Sequence, residues 1–331
     1  MHFPITLVTL VAPLIVSAAP WKRALSSADL QVLKFADLLE QLESRFYTEA
    51  LAKFQTSDFQ EAGFTSGDLP IQQITLIMND EATHATALGD TIVANGGQVI
   101  SGCKFNFSSA LTDVNTFIAT ARVVEQVGVG AYLGGTAIIS DRAVLQVAGT
   151  IATVESRHQT ILNALNGANT IPNAFDIPLS PSQVLAIAGG FISGCDVGIP
   201  EPVTANAPLT VTNVTGPIQP GTTLSFQSPA INSSIHDNTL FCQIIVGGQN
   251  VSTPMPLDQC TVPQNTNGPV VVLITSDSEP LAVSTVDQVT GTTVAGPTVF
   301  FVDSVSDLLG KEVRPSMGNS SASAGTSAST S

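Results

Sequence analysis

The chain has 331 residues, of which 44% are hydrophobic and only 11% charged, with a formal net charge of −15. That length accommodates two domains, each large enough to bury a core. The acidic balance and the lack of a basic cluster exclude nucleic acid and anionic membrane surfaces as expected partners, and low charge with much Ser, Thr, Gly and Asn suits an extracellular protein.

Residues 1–18 read as a secretory signal. Ile5 to Val16 form an apolar stretch too short to span a bilayer, and Val16-Ser17-Ala18 supplies small residues for cleavage before Ala19. Lys22-Arg23 offers a dibasic processing site, which would make residues 19–26 a pro-segment. No other segment is long and apolar enough to span a membrane. The expected location is secreted and extracellular, with the cell wall as one possible destination.

A helix is expected over residues 27–56, capped by Ser26 or Ser27, with Leu30, Leu33, Leu38, Leu42 and Phe46 as its apolar stripe. A Gly- and Asp-containing loop follows. The second helix starts near Pro70 and stops at Gly96-Gly97. The third runs from about Thr112 to Gly134, and the fourth from Ser140 or Asp141 to about Gly167. A shorter helix opens at Ser180-Pro181 and continues to about Ile192. Residues 27–196 thus form a four-helix bundle with one long crossover, the ferritin-like arrangement.

The pattern changes after Cys195. Residues 197–207 carry Pro200 and Pro202 and read as a linker. Residues 208–304 hold short β-branched runs, at Leu209–Asn213, Thr222–Phe226, Leu240–Val246, Val270–Thr275 and Thr298–Val302. Gly, Pro and Asn separate them, as in an Ig-like β-sandwich. The Ser/Thr-rich segment 305–331 is expected to be a disordered tail. Four cysteines in a secreted chain suggest two disulfides. Of the possible connectivities, Cys103–Cys195 with Cys242–Cys260 keeps each pair within one proposed domain. Glycosylation sequons occur at Asn106, Asn213, Asn232, Asn250 and Asn319.

The helical half repeats one constellation. Glu40 is followed seven residues later by Tyr47, then by Glu81 and His84; Glu125 is followed seven residues later by Tyr132, then by Glu155 and His158. Residues three or seven apart share a helix face, so each Glu-x-x-His presents both side chains on one side. Two lone Glu and two Glu-x-x-His on four helices are the ligand set of a dinuclear iron or manganese bundle. Carboxylates can bridge two ions roughly 3.5–4 Å apart, and each imidazole caps one ion. A single such motif reads as ordinary solvated side chains; its repetition in the same order argues otherwise. The motifs also sit among apolar residues: Ile74, Leu76, Ile77, Met78 and Leu88 around one, Val147, Ile151, Val154, Ile161 and Leu162 around the other. A buried Glu or His there needs a partner, and a metal supplies one.

Tyr47 and Tyr132 are candidates to donate to a ligating carboxylate, with a hydrogen-bonded core aromatic as the equal alternative. Asp80 is a candidate acceptor for a ligand His ring nitrogen, with no counterpart at Val154. Glu43 competes with Glu40 for the ligand position, and Glu40 is preferred because its distance to Tyr47 matches that of Glu125 to Tyr132. Arg157 is expected to pair with a surface carboxylate, and His236 to be solvated.

The segments LKFADLLEQLESRFY, NDEATHATAL, ARVVEQVGVGAYLGGTAII and TVESRHQTIL resemble the ferritin-like-domain proteins of fungi, a group of stress-response and late-sexual-development proteins similar to bacterial desiccation-related proteins. The resemblance covers about residues 27–200. It implies a ferritin-like bundle and maps Glu40, Glu81, His84, Glu125, Glu155 and His158 onto the dimetal pattern. Two functions follow as expectations. One is a secreted dimetal redox protein acting on oxygen or hydrogen peroxide, or handling metal, with two iron or manganese ions as cofactors. The other is a non-catalytic structural or cell-wall-associated protein, its β-domain binding wall glycan or another protein.

Overall fold

The computed structural model describes residues 25–195, 203–231, 239–288 and 290–315. The expected signal, most of the pro-segment, Asn232, His236, Asn319, part of the linker and residues 316–331 of the tail lie outside them.

Four long helices dominate the N-terminal part: α1 (Ser27–Lys53), α3 (Asp68–Ala94), α4 (Val114–Thr136) and α5 (Arg142–Leu165), with a short α2 (Thr56–Glu61) between the first two. Side-chain caps set the starts of α1, α4 and α5. Ser26 and Asp29 form a capping box on α1, Asp113 accepts from Thr116 N at α4, and Asp141 accepts from Ala143 N and Val144 N at α5. The sequence missed α2, because its single buried residue, Phe59, leaves no periodic stripe to read.

The link from α3 to α4 carries β1 (Lys104–Phe105). Beyond α5 come α6 (Pro181–Ala188), a 3-10 turn (Gly189–Phe191) and β2 (Ile192–Ser193). The short helix therefore ends earlier than expected, since Gly189-Gly190 follows it and residues 192–193 are drawn into pairing with β1. The Cys103–Cys195 disulfide closes beside this pairing.

The C-terminal part holds β3 (Thr210–Val211), β4 (Phe226–Gln227), β5 (Phe241–Val246), β6 (Thr253–Pro256), β7 (Gly268–Thr275), β8 (Thr293–Val302) and a last short helix, α7 (Leu308–Val313). An antiparallel sheet runs β6-β5-β7-β8, and β3 pairs with β4 apart from it. The expected Ig-like sandwich, read from five β-branched runs, is thus, among the described residues, a four-stranded sheet and a separate two-stranded pair. β6 was not anticipated: its sequence, Thr-Pro-Met-Pro, lacks β-branched alternation, and it survives as an edge strand where proline is tolerated.

β7 is buried along its whole length, as expected of a strand covered on both faces. On one face Val270, Val272 and Ile274 pack with Leu209, Leu224 and the Cys242–Cys260 disulfide. On the other, Val271, Leu273, Ile245 and Val299 enter the cluster that contains Phe46, Phe117, Leu162 and Val184 of the helices. The sheet and the bundle therefore share one apolar core. No helix among the described residues is long and apolar enough to cross a membrane.

Asp29 ties the bundle together at one end. Its carboxylate accepts from Ser26 Oγ at 2.7 Å, Ser140 N at 2.6 Å and Ser140 Oγ at 2.8 Å, linking the start of α1 to the α4–α5 turn. Burial would raise its pKa, but the bonds from Ser26, Ser140 and Asp141 outweigh it and hold the group at about 2. A depressed folded-state pKa stabilises the fold above the unfolded value near 3.8 and ceases to do so as pH falls through about 2. Asp29→Asn is expected to cost about 2 kcal/mol at pH 7. Urea unfolding at pH 7 and at pH 2 checks this: the gap between variant and wild type should close at the lower pH.

Candidate metal centre

The six residues of the repeated constellation come from four helices and meet inside the bundle. Glu40 lies on α1, Glu81 and His84 on α3, Glu125 on α4, and Glu155 and His158 on α5. Glu81, Glu125 and Glu155 are wholly buried, Glu40 and His158 nearly so, and His84 partly exposed. Their donor atoms form two groups, Glu40–Glu81–His84–Glu155 and Glu81–Glu125–Glu155–His158, within each of which all atoms lie within 4.8 Å of one another. Glu81 and Glu155 belong to both groups. Any cation held by either group would therefore have both of these carboxylates within reach.

Both imidazoles present Nδ1 to the centre. His84 Nδ1 lies 3.2 Å from Glu40 and Glu81 and 3.6 Å from Glu155; His158 Nδ1 lies 2.7 Å from Glu81 and 3.5 Å from Glu125. Yet Glu125 Oε2 and both oxygens of Glu155 are buried without a hydrogen-bond partner, and Glu81 Oε1 and His158 Nδ1 make only ion-pair contacts, chiefly with each other. Buried unpaired polar atoms of this kind are costly. These converge on a common interior, which is the arrangement a cation would satisfy.

The electrostatics agree. Burial pushes the Glu40 carboxyl up to about 8, against the bond to His84. Burial and the neighbouring carboxylates also raise Glu125 and Glu155. Burial would lower the two imidazoles, but contacts to the surrounding carboxylates prevail, holding His84 at about 12 and His158 at about 11. Burial would likewise raise Glu81, but the two histidines bring it down to about 2. The raised carboxyl and imidazole values mean that the centre favours holding protons, which bound cations would displace.

The tyrosines are placed crosswise. Tyr47 donates to Glu125 Oε1 at 2.5 Å, and Tyr132 donates to Glu40 Oε1. A seven-residue separation carries a side chain roughly 10 Å along its own helix, too far to reach the Glu on that helix. Pairing 47 with 125 and 132 with 40 requires α1 and α4 to run antiparallel, and so gives the centre its pseudo-twofold symmetry. His158 Nε2 lies 3.1 Å from Asp80 Oδ2, a contact that restricts how the ring can turn. Tyr47→Phe keeps the aromatic packing on Phe46 and Phe117 and removes one bond. It is expected to weaken metal binding by about 10–100-fold. Competition with a chromophoric chelator reads this directly, and unchanged affinity would remove the tyrosine from the site.

Glu43 is the residue that sequence reasoning set aside. It is buried and faces the centre beside Glu155, because Gly128 of α4 leaves a notch: a Cβ there would lie 2.6 Å from Glu155 Oε2 and 3.1 Å from Glu43 Oε1. The signal was its i+3 spacing from Glu40, which puts both on one face. Three other expectations are corrected. Arg157 is exposed and makes no ion pair among the described residues; no acidic residue stands three or four positions from it on α5. Leu76 and Val147 are exposed, since they lie on the outer faces of their amphipathic helices.

A four-helix bundle with carboxylates and two histidines gathered at its middle defines a metal-binding helical scaffold. Residues 28–168 match the family model of the ferritin-like domain, a span that contains all six residues of the centre. The N-terminal helical part is therefore similar to ferritin-like domains, and the sheets lie in the C-terminal part. No curated protein matches the chain.

Proposed function

We propose that the helical part holds two iron or manganese ions through Glu40, Glu81, His84, Glu125, Glu155 and His158, in a secreted, stress-related redox protein. The observation that carries this reading is the pair of donor groups sharing Glu81 and Glu155, with buried Glu125 and Glu155 oxygens left without hydrogen bonds between them. Bound iron or manganese would supply electron exchange with oxygen or hydrogen peroxide. The chain's own part is to hold the donors: Tyr47 and Tyr132 fix the two lone carboxylates, and Asp80 fixes the His158 ring. The apolar helix faces exclude bulk water and strengthen each of these contacts.

Secretion is supported by the N-terminal apolar stretch and by two disulfides, which persist in oxidising compartments. Asn106, Asn213 and Asn250 are exposed, as glycan attachment requires. The likeness of the motifs to fungal stress-response and late-sexual-development proteins points the same way. The C-terminal part is read as an Ig-like layer, which would address the protein to wall glycan or to another protein. A second reading, a non-catalytic scaffold, draws on the core shared by sheet and bundle and on the two disulfides.

Metal analysis of the protein purified from its native host separates the two. The redox reading expects about two ions per chain and an absorption spectrum that changes on adding peroxide. Less than about one ion per chain, unaltered by His84→Ala and His158→Ala, would overturn it.

A further inference from the structure

A cleft opens beside the metal centre, between α1, α4 and the α6 segment, with a volume of about 520 Å³. That is within the range of small-molecule sites, roughly 300–1,000 Å³. Leu42, Val127, Ile187 and Phe191 make its walls apolar, and Thr116 and Thr120 stand along α4. Its lining residues on α4 recur every three to four positions, so one helix face forms a continuous wall. The opposite wall, Ile187 to Phe191, belongs to no bundle helix. It is held in place by the β1–β2 pairing and the Cys103–Cys195 disulfide.

The cleft contains one acidic group, Glu43. Glu43 is buried, and through the notch at Gly128 it lies against Glu155, one of the two residues common to both donor groups. A molecule in the cleft would therefore meet Glu43 on the edge of the metal centre. We propose that this cleft binds a small, neutral, largely apolar alcohol or phenol, with its hydroxyl on Glu43. A hydroxyl both donates and accepts, so it pairs with a carboxylate or with a carboxylic acid. An anionic ligand would face Glu43 with four further carboxylates behind it. A cationic one would give up its hydration among apolar walls for a single partner. The molecule's fate rests on the dimetal reading above; its binding does not.

Benzyl alcohol, titrated by calorimetry into the metal-free full chain, tests this. Saturable binding is expected, with benzoate and benzylamine each weaker by about tenfold or more, the loss that one unpaired buried polar contact brings. Ala119→Trp narrows the cleft from an exposed position, where folding tolerates it, and Val123→Trp fills it one turn further along. Each is expected to weaken benzyl alcohol by about tenfold or more, with thermal unfolding of the two variants checked alongside. No saturation, equal or tighter binding of benzoate or benzylamine, or affinity unmoved in the folded variants would overturn the inference. A chain that binds benzyl alcohol this way but retains no metal keeps the cleft and sinks the dimetal centre, so the two failures are distinct.

Discussion

Metal-free Glu155→Gln protein is expected to melt above the metal-free wild type, and the order is expected to reverse when ferrous or manganous ion is added. Glu155 is fully buried, and neither oxygen has a hydrogen-bond partner. Burial, then Glu81, Glu40 and Glu125, raise its pKa well above the usual carboxylate value of 4.5. A raised folded-state pKa means that the group favours the fold at low pH and disfavours it progressively as pH climbs past the unfolded value. Gln cannot ionise in the unfolded chain, so the variant escapes that cost, which grows by about 1.4 kcal/mol for each pH unit above 4.5 while the folded carboxyl stays protonated. The shift is several degrees at about 2–4 °C per kcal/mol. The gap between variant and wild type should widen with pH above 4.5.

Metal changes the sign because it occupies the same unpaired atoms. A ligand at a hundred times its dissociation constant stabilises by about 2.7 kcal/mol. The wild type can gain this from ions at both positions. The variant has lost one of the two carboxylates common to the donor groups and should gain little at either. Calorimetric melts with and without chelator decide it. A Glu155→Gln protein stabilised by metal as much as the wild type would show that Glu155 is no ligand.

The parts of this centre written in the sequence are those that depend on a single helix. Glu81 with His84, and Glu155 with His158, share a face whatever the helix packs against, and the caps at Ser26, Asp113 and Asp141 mark the helix starts in the same local way. What depends on two helices at once is less visible. The seven-residue spacing of Glu40 and Tyr47 announced that the tyrosine mattered. Only the antiparallel approach of α1 and α4 shows that it serves Glu125 instead of its own neighbour. Spacing to Tyr47 favoured Glu40 over Glu43, and it took the notch at Gly128 to show that Glu43 turns toward Glu155 as well. The shared core is further still from local pattern. Val271 and Leu273 alternate with Val270 and Val272 on β7, and an unbroken apolar run says that both faces are covered without saying by what.

The same coupling predicts the cost of cutting sheet from bundle. Arg122 on α4 is buried, with its guanidinium 3.7 Å from the Phe301 ring centre. It donates through Nε to Asn163 Oδ1 at 2.7 Å and through both terminal nitrogens to Asp303 at 2.8 Å. Asp303→Ala is expected to cost about 3 kcal/mol, the lower end for a broken buried pair, because the lost carboxylate is 35% exposed while the abandoned guanidinium is only 6% exposed. Replacing both partners, as Arg122→Met with Asp303→Leu, should cost less than Asp303→Ala alone, since no charge is then left buried. Arg122 lies one helical turn before Glu125, but α4 also packs on α5 and α1. Metal content should therefore hold while stability falls. If Asp303→Ala lowers both together, the sheet is positioning α4 for the metal; if stability moves by less than about 1 kcal/mol, the pair behaves as an ordinary surface ion pair and the shared apolar core alone joins the two halves.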